Sequence, residues 1–433
     1  MGSKSLLKVA RSAELLRAVW NSKETNRDSM DVTLSDLVAS APGPKQQEVL
    51  VELVRPGLVV IQPTPFCNID CSYCYLNNRS DTSRMSSSTL RAVARFLLGV
   101  PIGEKPLSIV WHAGEPMVVP VTFYEEAFRS FAPGDGSSPF RHHFQTNGTL
   151  IDDSWCSLFK KWSVCVGVSI DGPKQLHDKY RVDRFGRGTF DRVMKGIDAL
   201  RAHGLRFSVL TVITRETLDM ADELWEFFKD LGASHVGFNV EENEGAHRHS
   251  SLASGEFSAK LRRFFARMAE LHQKNPNIRV RELEDMRRHL TAPCGSVVTR
   301  SNNRPGAILN IDSHGNFTTF SPELLGLDDS RYGRFTWGNV HHNDWSSLAR
   351  HRGFLKAHAE ISAGIELCRR SCQYFAVCGG GNPSNKLAEC GTFVSTETLY
   401  CQLHVQAVAD AVMEQMEREM AAPTASLQVA SGT

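Results

Sequence analysis

Apolar and polar positions change rhythm several times along this chain, and each change marks an element. Leu58-Val59-Val60-Ile61 is a short, fully apolar run, the pattern of a buried strand. Further strands are expected at 107–111, 142–145, 165–170, 207–213 and 235–240. Between them, apolar residues recur at helical spacing over 87–98, 152–161, 189–203 and 218–231. The helix after the second strand has no clear start or end within 119–131. Strands alternating with helices of this length read as βα units around a parallel sheet. Six such strands suit an α/β fold with a partial, TIM-like (β/α)6 barrel better than a full eight-stranded one.

Downstream, helices are expected at 261–274 and 281–290. After Cys294 the texture changes: residues 310–317 carry hairpin turn chemistry, a loop-rich cysteine segment runs to Cys401, and 405–420 reads as a terminal amphipathic helix. The organisation expected is an extension (1–55) opening on a basic amphipathic helix, a barrel (56–250), a helical bridge (251–293), a cysteine-rich domain (294–404), and a terminal helix with a disordered tail (405–433).

Composition narrows the classes. Forty-nine basic against 48 acidic residues give a net charge of +1, which speaks against nucleic-acid binding driven by bulk charge. No apolar run approaches the ~20 residues of a membrane helix. The first twenty residues lack the apolar core of a secretory signal, so a reducing, cytoplasmic location is expected. There, the 11 cysteines point to metal binding more than to disulfides. They fall in two clusters, 67–74 and 368–401, plus Cys156, Cys165 and Cys294. Cys156 and Cys165 read as core thiols on a helix and a strand.

The first cluster is Cys67-Asn68-Ile69-Asp70-Cys71-Ser72-Tyr73-Cys74, directly after the first strand. Three thiolates on a four-iron cubane leave one iron open, and an open site means chemistry. Zinc is the bland alternative, but no fourth Cys or His sits at zinc-finger spacing. Reactive residues of βα barrels lie at the C-terminal strand ends. There this chain carries His112-Ala113-Gly114-Glu115-Pro116, Gln145-Thr146-Asn147-Gly148, Ser169-Ile170-Asp171-Gly172 and Glu241-Glu242. Each could be a cap or turn former. Together they suggest a ligand pocket, with Glu115 as an acceptor for an ammonium group and Asp171, Glu241 and Glu242 as catalytic candidates.

Cys-x3-Cys-x2-Cys with Tyr73 before the last cysteine resembles the signature of the radical S-adenosylmethionine (SAM) superfamily. His-Ala-Gly-Glu-Pro resembles its Gly-Gly-Glu motif, with Ala113 in place of the first glycine. The resemblance runs over roughly residues 56–405. It implies a [4Fe-4S] cluster on Cys67, Cys71 and Cys74. SAM would chelate the open iron and contact Tyr73, Ala113, Gly114, Glu115, Asn147, Ser169 and Arg181. Reductive cleavage would give a 5′-deoxyadenosyl radical, with flavodoxin or ferredoxin as electron donor.

The second cluster has enough thiols for a closed zinc site. It also resembles the SPASM extension of radical SAM enzymes that modify peptides and proteins. That match implies one auxiliary [4Fe-4S] cluster on Cys368, Cys372, Cys378 and Cys401. The full SPASM pattern wants a cysteine five residues beyond the hairpin glycine, where this chain has Phe320. Cys294 and Cys390, the further candidates, are too few for a second auxiliary cluster.

Five stretches resemble the three-residue cyclophane-forming peptide maturases: Gln62-Pro63-Thr64-Pro65-Phe66-Cys67, Trp111-His112-Ala113-Gly114-Glu115-Pro116, Gly237-Phe238-Asn239-Val240-Glu241-Glu242, Phe320-Ser321-Pro322-Glu323 and Cys378-Gly379-Gly380-Gly381. That branch implies a ribosomal precursor peptide as partner and a bond from an aromatic ring carbon to a nearby β-carbon. The alternatives are sulfatase maturation, thioether formation or peptide epimerisation. From another class come a non-catalytic iron–sulfur carrier or a zinc-binding module.

Overall fold

The computed structural model describes residues 51–132, 138–253 and 256–421. Strands β1 (Leu58–Ile61), β2 (Leu107–Trp111), β3 (Phe140–Thr146), β4 (Cys165–Ser169), β5 (Phe207–Ile213) and β6 (His235–Val240) lie side by side in chain order, all parallel. The short β7 (Arg279–Val280) continues the sheet beyond β6. On the other side β8 (Ile308–Ile311) pairs parallel with β1, and β9 (Asn316–Thr319) folds back antiparallel on β8. The expected hairpin therefore extends the barrel sheet. The sheet stays open, because its end strands do not pair with each other.

Why one face of this sheet carries the core follows from the two-residue period of a strand. In β5, Phe207, Val209, Thr211 and Ile213 are buried, while Ser208, Leu210 and Val212 are half-buried. β2 and the later part of β3 alternate in the same way. The buried set packs under helices α1 (Ser87–Leu98), α2 (Val121–Ser130) and α3 (Asp153–Lys161) and those that follow later strands. Trp111 sits there among Phe123, Tyr124, Phe128, Phe131 and Phe144. Truncating a ring so placed costs about 3–5 kcal/mol. The half-buried set faces the opposite side of the sheet, the lumen side of the partial barrel.

Caps fix where these helices begin. Ser86 accepts a bond from Thr89 N ahead of α1, and Asp152 accepts from Ser154 N and Trp155 N ahead of α3. The helix sought within 119–131 is α2. Pro116 and Pro120 hide its start, because a short 3-10 turn, Pro116–Val118, precedes it. The 218–231 segment divides into a 3-10 turn, Arg215–Asp219, and helix Ala221–Asp230.

Two expectations are corrected. The cysteine segment is helical rather than loop-rich: it holds Arg352–Ser371, Phe375–Cys378 and Pro383–Cys390. Phe354, Ala357, Ile361, Gly364 and Cys368 recur at helical steps and are buried. Cys165 is not a core thiol. It opens β4 at an exposed position, whereas Cys156 is fully buried. The terminal helix is Ala407–Ala421, entered through a π-helical turn, Cys401–Gln406, and packed on Glu256–Lys274. The expected starter helix and tail lie outside the described residues. No described helix is long and apolar enough to cross a membrane.

Candidate functional site

The cysteine loop leaves the C-terminal end of β1 and is pinned by the segment that follows helix Lys174–Tyr180. Asp70 N bonds Val182 O at 2.7 Å and Ser72 N bonds Tyr180 O at 3.0 Å. Arg184 Nε donates to Cys67 O at 2.9 Å, and Arg79 Nη1 to Cys71 O at 3.0 Å. Two donors reach the sulfurs: Asn147 Nδ2 lies 3.8 Å from Cys67 Sγ, and Arg181 Nη1 lies 3.9 Å from Cys71 Sγ. Burial, with the Glu115 charge behind it, pushes the Cys67 thiol up to about 12. Burial likewise pushes Cys71 to about 11 against the pull of Arg181. Such thiols ionise only when a metal takes the proton's place. Among the described residues no three His, Cys, Asp or Glu side chains are gathered as for a single metal ion. A cubane puts each cysteine on its own iron. Three soft donors ringed by arginine and amide groups fit such an anionic cluster.

The second strand's loop closes over this one. Ala113 and Gly114 both have left-handed backbone, φ 69° and 79°. A Cβ on Gly114 would stand 2.5 Å from Thr64 O and 2.8 Å from Phe66 O. The backbone that Gly114 lets approach is thus the run-in to Cys67. Glu115 is 1% exposed. Its Oε1 accepts from Met117 N at 2.9 Å and from Thr146 Oγ1 at 2.8 Å, and its Oε2 from Asn147 N at 2.7 Å. It caps its own turn and ties the β2 loop to the β3 loop. Burial outweighs these donors and lifts its carboxyl to about 7. A carboxylate has about four lone-pair sites, so these three bonds leave one unused.

Asp171 and Arg181 form a buried pair beside Cys71. Arg181 Nε donates to Oδ2 at 2.9 Å and Nη2 to Oδ1 at 3.1 Å. Tyr73 O–H donates to Oδ2, and Val212 N to Oδ1 at 3.0 Å. Burial opposes the ionised Asp171, but Arg181 prevails and holds the carboxyl below the usual range. Ser169 Oγ accepts from Gln145 Nε2 at 2.9 Å across the lumen side of β3 and β4. Glu241 is occupied by His247 Nε2 at 3.0 Å, by Ser251 N at 2.9 Å and by the Ser251 hydroxyl. Of the three candidate carboxylates, Glu242 is the least committed, with Asn385 Nδ2 donating to it at 2.7 Å.

The second cysteine cluster converges. Cys368, Cys378 and Cys401 are buried and Cys372 half-buried. The four thiols lie within reach of one another's charge. A hydrogen bond from the Cys401 thiol, helped by Arg300, brings Cys378 down to about 5, and the same bond drives Cys401 up. Gly381 N donates to Cys378 Sγ at 3.2 Å and Lys386 Nζ to Cys368 Sγ at 3.4 Å. The Gly379-Gly380-Gly381 run is left-handed throughout, and a Cβ on Gly379 would meet Val298 O at 2.1 Å. Cys294 and Cys390 are exposed and stand outside this group. Phe320 is fully buried, stacked on Phe354 and edge-on to Trp337.

A group of acids without any sequence signature lies beside the first cysteine loop. Glu244 and Glu323 join Glu242 in an acid group beside Tyr75, which follows Cys74. A Cβ on Gly245 would meet Tyr75 O at 2.0 Å, so the turn after Glu244 is seated directly on the cysteine loop.

Residues 61–231 match the radical SAM superfamily. An uncharacterized protein of Synechocystis, sll1766, is 40% identical over 376 residues, covering 84% of this chain and 93% of that protein. The serine-type anaerobic sulfatase-maturating enzyme of Klebsiella aerogenes is 33% identical over 197 residues, 44% of this chain and 48% of the enzyme. Of solved structures, native anSMEcpe with bound AdoMet has a TM-score of 0.69 at 20% identity, covering 84% of this chain and 99% of that one. Streptococcus suis SuiB bound to precursor peptide SuiA has a TM-score of 0.58 at 16% identity, covering 80% and 76%. At such identities these two likenesses speak for the fold.

Proposed function

We propose that this chain, a radical SAM enzyme of the peptide or protein maturase kind, crosslinks a ribosomally made precursor peptide, joining an aromatic ring carbon to a nearby β-carbon. Cys67, Cys71 and Cys74 would hold the SAM-binding [4Fe-4S] cluster, and Cys368, Cys372, Cys378 and Cys401 an auxiliary one. When bound, these groups supply one-electron chemistry: removal of a hydrogen atom from the peptide and a sink for the second electron. The chain's own residues position and move protons. Glu115 would receive the ammonium of SAM, with Ala113 and Gly114 holding its loop against the cysteine loop. Asn147 orients that loop from the β3 side. Arg181, fixed by Asp171 and Tyr73, places a positive charge beside Cys71. Ser169 and Gln145 line the lumen wall. Ring–carbon bond formation frees one proton from the ring, and Glu242 is its acceptor.

The observation that carries the crosslinking reading is Phe320 packed between Phe354 and Trp337. Where the full SPASM pattern has a cysteine, aromatic core stands, which supports a single auxiliary cluster. Sulfatase maturation is the second reading, favoured by the relatives so described. The test is anaerobic co-expression with the neighbouring precursor peptide and mass spectrometry. Crosslinking predicts loss of two hydrogens and a segment resistant to fragmentation between the joined residues. Loss confined to a single serine or cysteine favours the second reading. Unchanged mass with an inverted residue supports epimerisation and overturns both.

A further inference from the structure

Polar atoms buried without partners are rare, because each costs about 1–3 kcal/mol. In this molecule three of them belong to one group. Glu244 Oε1, Glu323 Oε2 and Asn385 Oδ1 are buried with no hydrogen-bond partner among the described residues. Asn385 is 0% exposed, and its amide is turned into the acid group, donating Nδ2 to Glu242 Oε2 at 2.7 Å. Its carbonyl end is therefore presented beside the carboxylates. All three orphans are acceptors. No lysine or arginine is among the main groups acting on Glu242, Glu244 or Glu323; burial raises all three carboxyls, and the Glu323 charge adds to the rise of Glu242 and Glu244.

A site with three unmet acceptors and uncompensated acid calls for a cation carrying several N–H donors. An ammonium has three, and a guanidinium five. A bare metal ion fits less well, since no three acidic or sulfur groups of the described residues are gathered at metal-binding geometry.

Position in the fold indicates where the cation comes from. Glu242 and Glu244 follow β6 at the strand's C-terminal end, and Glu323 follows the hairpin that extends the sheet past β1. As whole residues Glu242 and Glu323 are half-buried, at the margin of the group, while the three unmet acceptor atoms themselves are buried. Tyr75, next to Cys74, feels all three carboxylates, and Tyr400, next to Cys401, feels Glu242. The acid group thus lies near a neighbour of each cysteine cluster.

We propose that Glu244, Glu323 and the Asn385 carbonyl, flanked by Glu242, form a subsite for a lysine or arginine side chain of the peptide substrate. This rests on the peptide-maturase reading and adds a specificity element to it: the crosslinked segment carries, or adjoins, a cationic residue.

The test uses the full chain with its iron–sulfur content reconstituted. n-Butylguanidinium and n-butylammonium are titrated by calorimetry, with n-butylurea as the neutral match to the first. At least one cation should bind at least ten-fold more tightly than n-butylurea, and whichever binds better names the side chain. Glu244→Gln and Glu323→Gln, checked by circular dichroism, should each weaken the cation by roughly ten- to a hundred-fold. Equal binding of n-butylurea and both cations overturns the subsite, as does wild-type affinity in the folded variants. If a variant fails to fold, the charged-against-neutral comparison on the wild type decides. The two readings fail separately. Cation binding with this pattern but no crosslinked peptide leaves the subsite standing and removes the peptide reading. Crosslinked peptide without it removes the subsite alone.

Discussion

Arg181 and Asp171 are joined by two buried bonds, 2.9 and 3.1 Å, while a third guanidinium nitrogen lies 3.9 Å from the Cys71 sulfur. The end of β4 is thereby locked to the cysteine loop. Asp171→Asn would strand a buried guanidinium, and we predict a loss of about 3–5 kcal/mol. Thermal unfolding monitored anaerobically measures it. The linkage has a definite sign. The Asp171 carboxyl is depressed by folding, so its contribution is present above the unfolded value near 3.8 and is lost as pH falls through the folded one. Wild-type stability in the variant would mean that the pair is not a clamp.

Glu115 should behave oppositely. Its carboxyl is raised from 4.5 to about 7, so its contribution to stability is full below 4.5 and is lost as pH rises through about 7. SAM affinity should move the other way, rising between pH 6 and 8 as the carboxylate forms, by something on the order of ten-fold. Glu115→Gln should flatten that rise and weaken SAM by roughly ten- to a hundred-fold, the worth of a charge-assisted bond. Equilibrium binding of SAM across pH checks both. Unchanged affinity with a large drop in melting temperature would leave Glu115 as a turn cap only.

Gly114→Ala should disturb the cluster more than the barrel. The added Cβ meets Thr64 O at 2.5 Å, in a backbone conformation that L-residues seldom adopt. Destabilisation of about 1–3 kcal/mol is expected, together with lower iron retention after reconstitution. Iron assay alongside thermal unfolding separates the two. Full iron with an unmoved melting temperature would contradict the close approach.

Cys378→Ala should divide the two clusters. It removes a thiol that bonds Cys401 and accepts from Gly381 N. Iron should fall by about four per chain, one cubane's worth. Deoxyadenosine should still form while crosslinked peptide disappears, in protein whose circular dichroism is retained. Product at the wild-type rate would remove the auxiliary site from the mechanism. Stoichiometric zinc there, unaffected by reconstitution, would restore the zinc alternative.

The barrel is legible in the sequence because short apolar runs such as Leu58–Ile61 alternate with stretches of helical period, and because Cys67, Cys71 and Cys74 lie within one short stretch. Both are local signals. Helix Arg352–Ser371 is not legible from the cysteine spacing, although its apolar steps at Phe354, Ala357 and Ile361 carry the helical period. Helix Lys174–Tyr180 was missed because only Leu176 and His177 are buried on it. The Glu244–Glu323–Asn385 group had no spacing to betray it. Its members come from three distant segments, after β6, after β9 and on helix Pro383–Cys390, which only the tertiary fold brings together. Exposure of Cys165 was equally invisible, since strand ends and strand centres share the same residue types.

Every proposed step depends on the cysteine loop as the site of SAM cleavage. The most direct measurement is 5′-deoxyadenosine formed anaerobically, with SAM and dithionite, by the reconstituted wild type and by Cys67→Ala/Cys71→Ala/Cys74→Ala. The account predicts product from the wild type. In the triple variant it predicts none, with the barrel folded and iron reduced by about one cubane. Deoxyadenosine from the triple variant at a rate near the wild type's would contradict it.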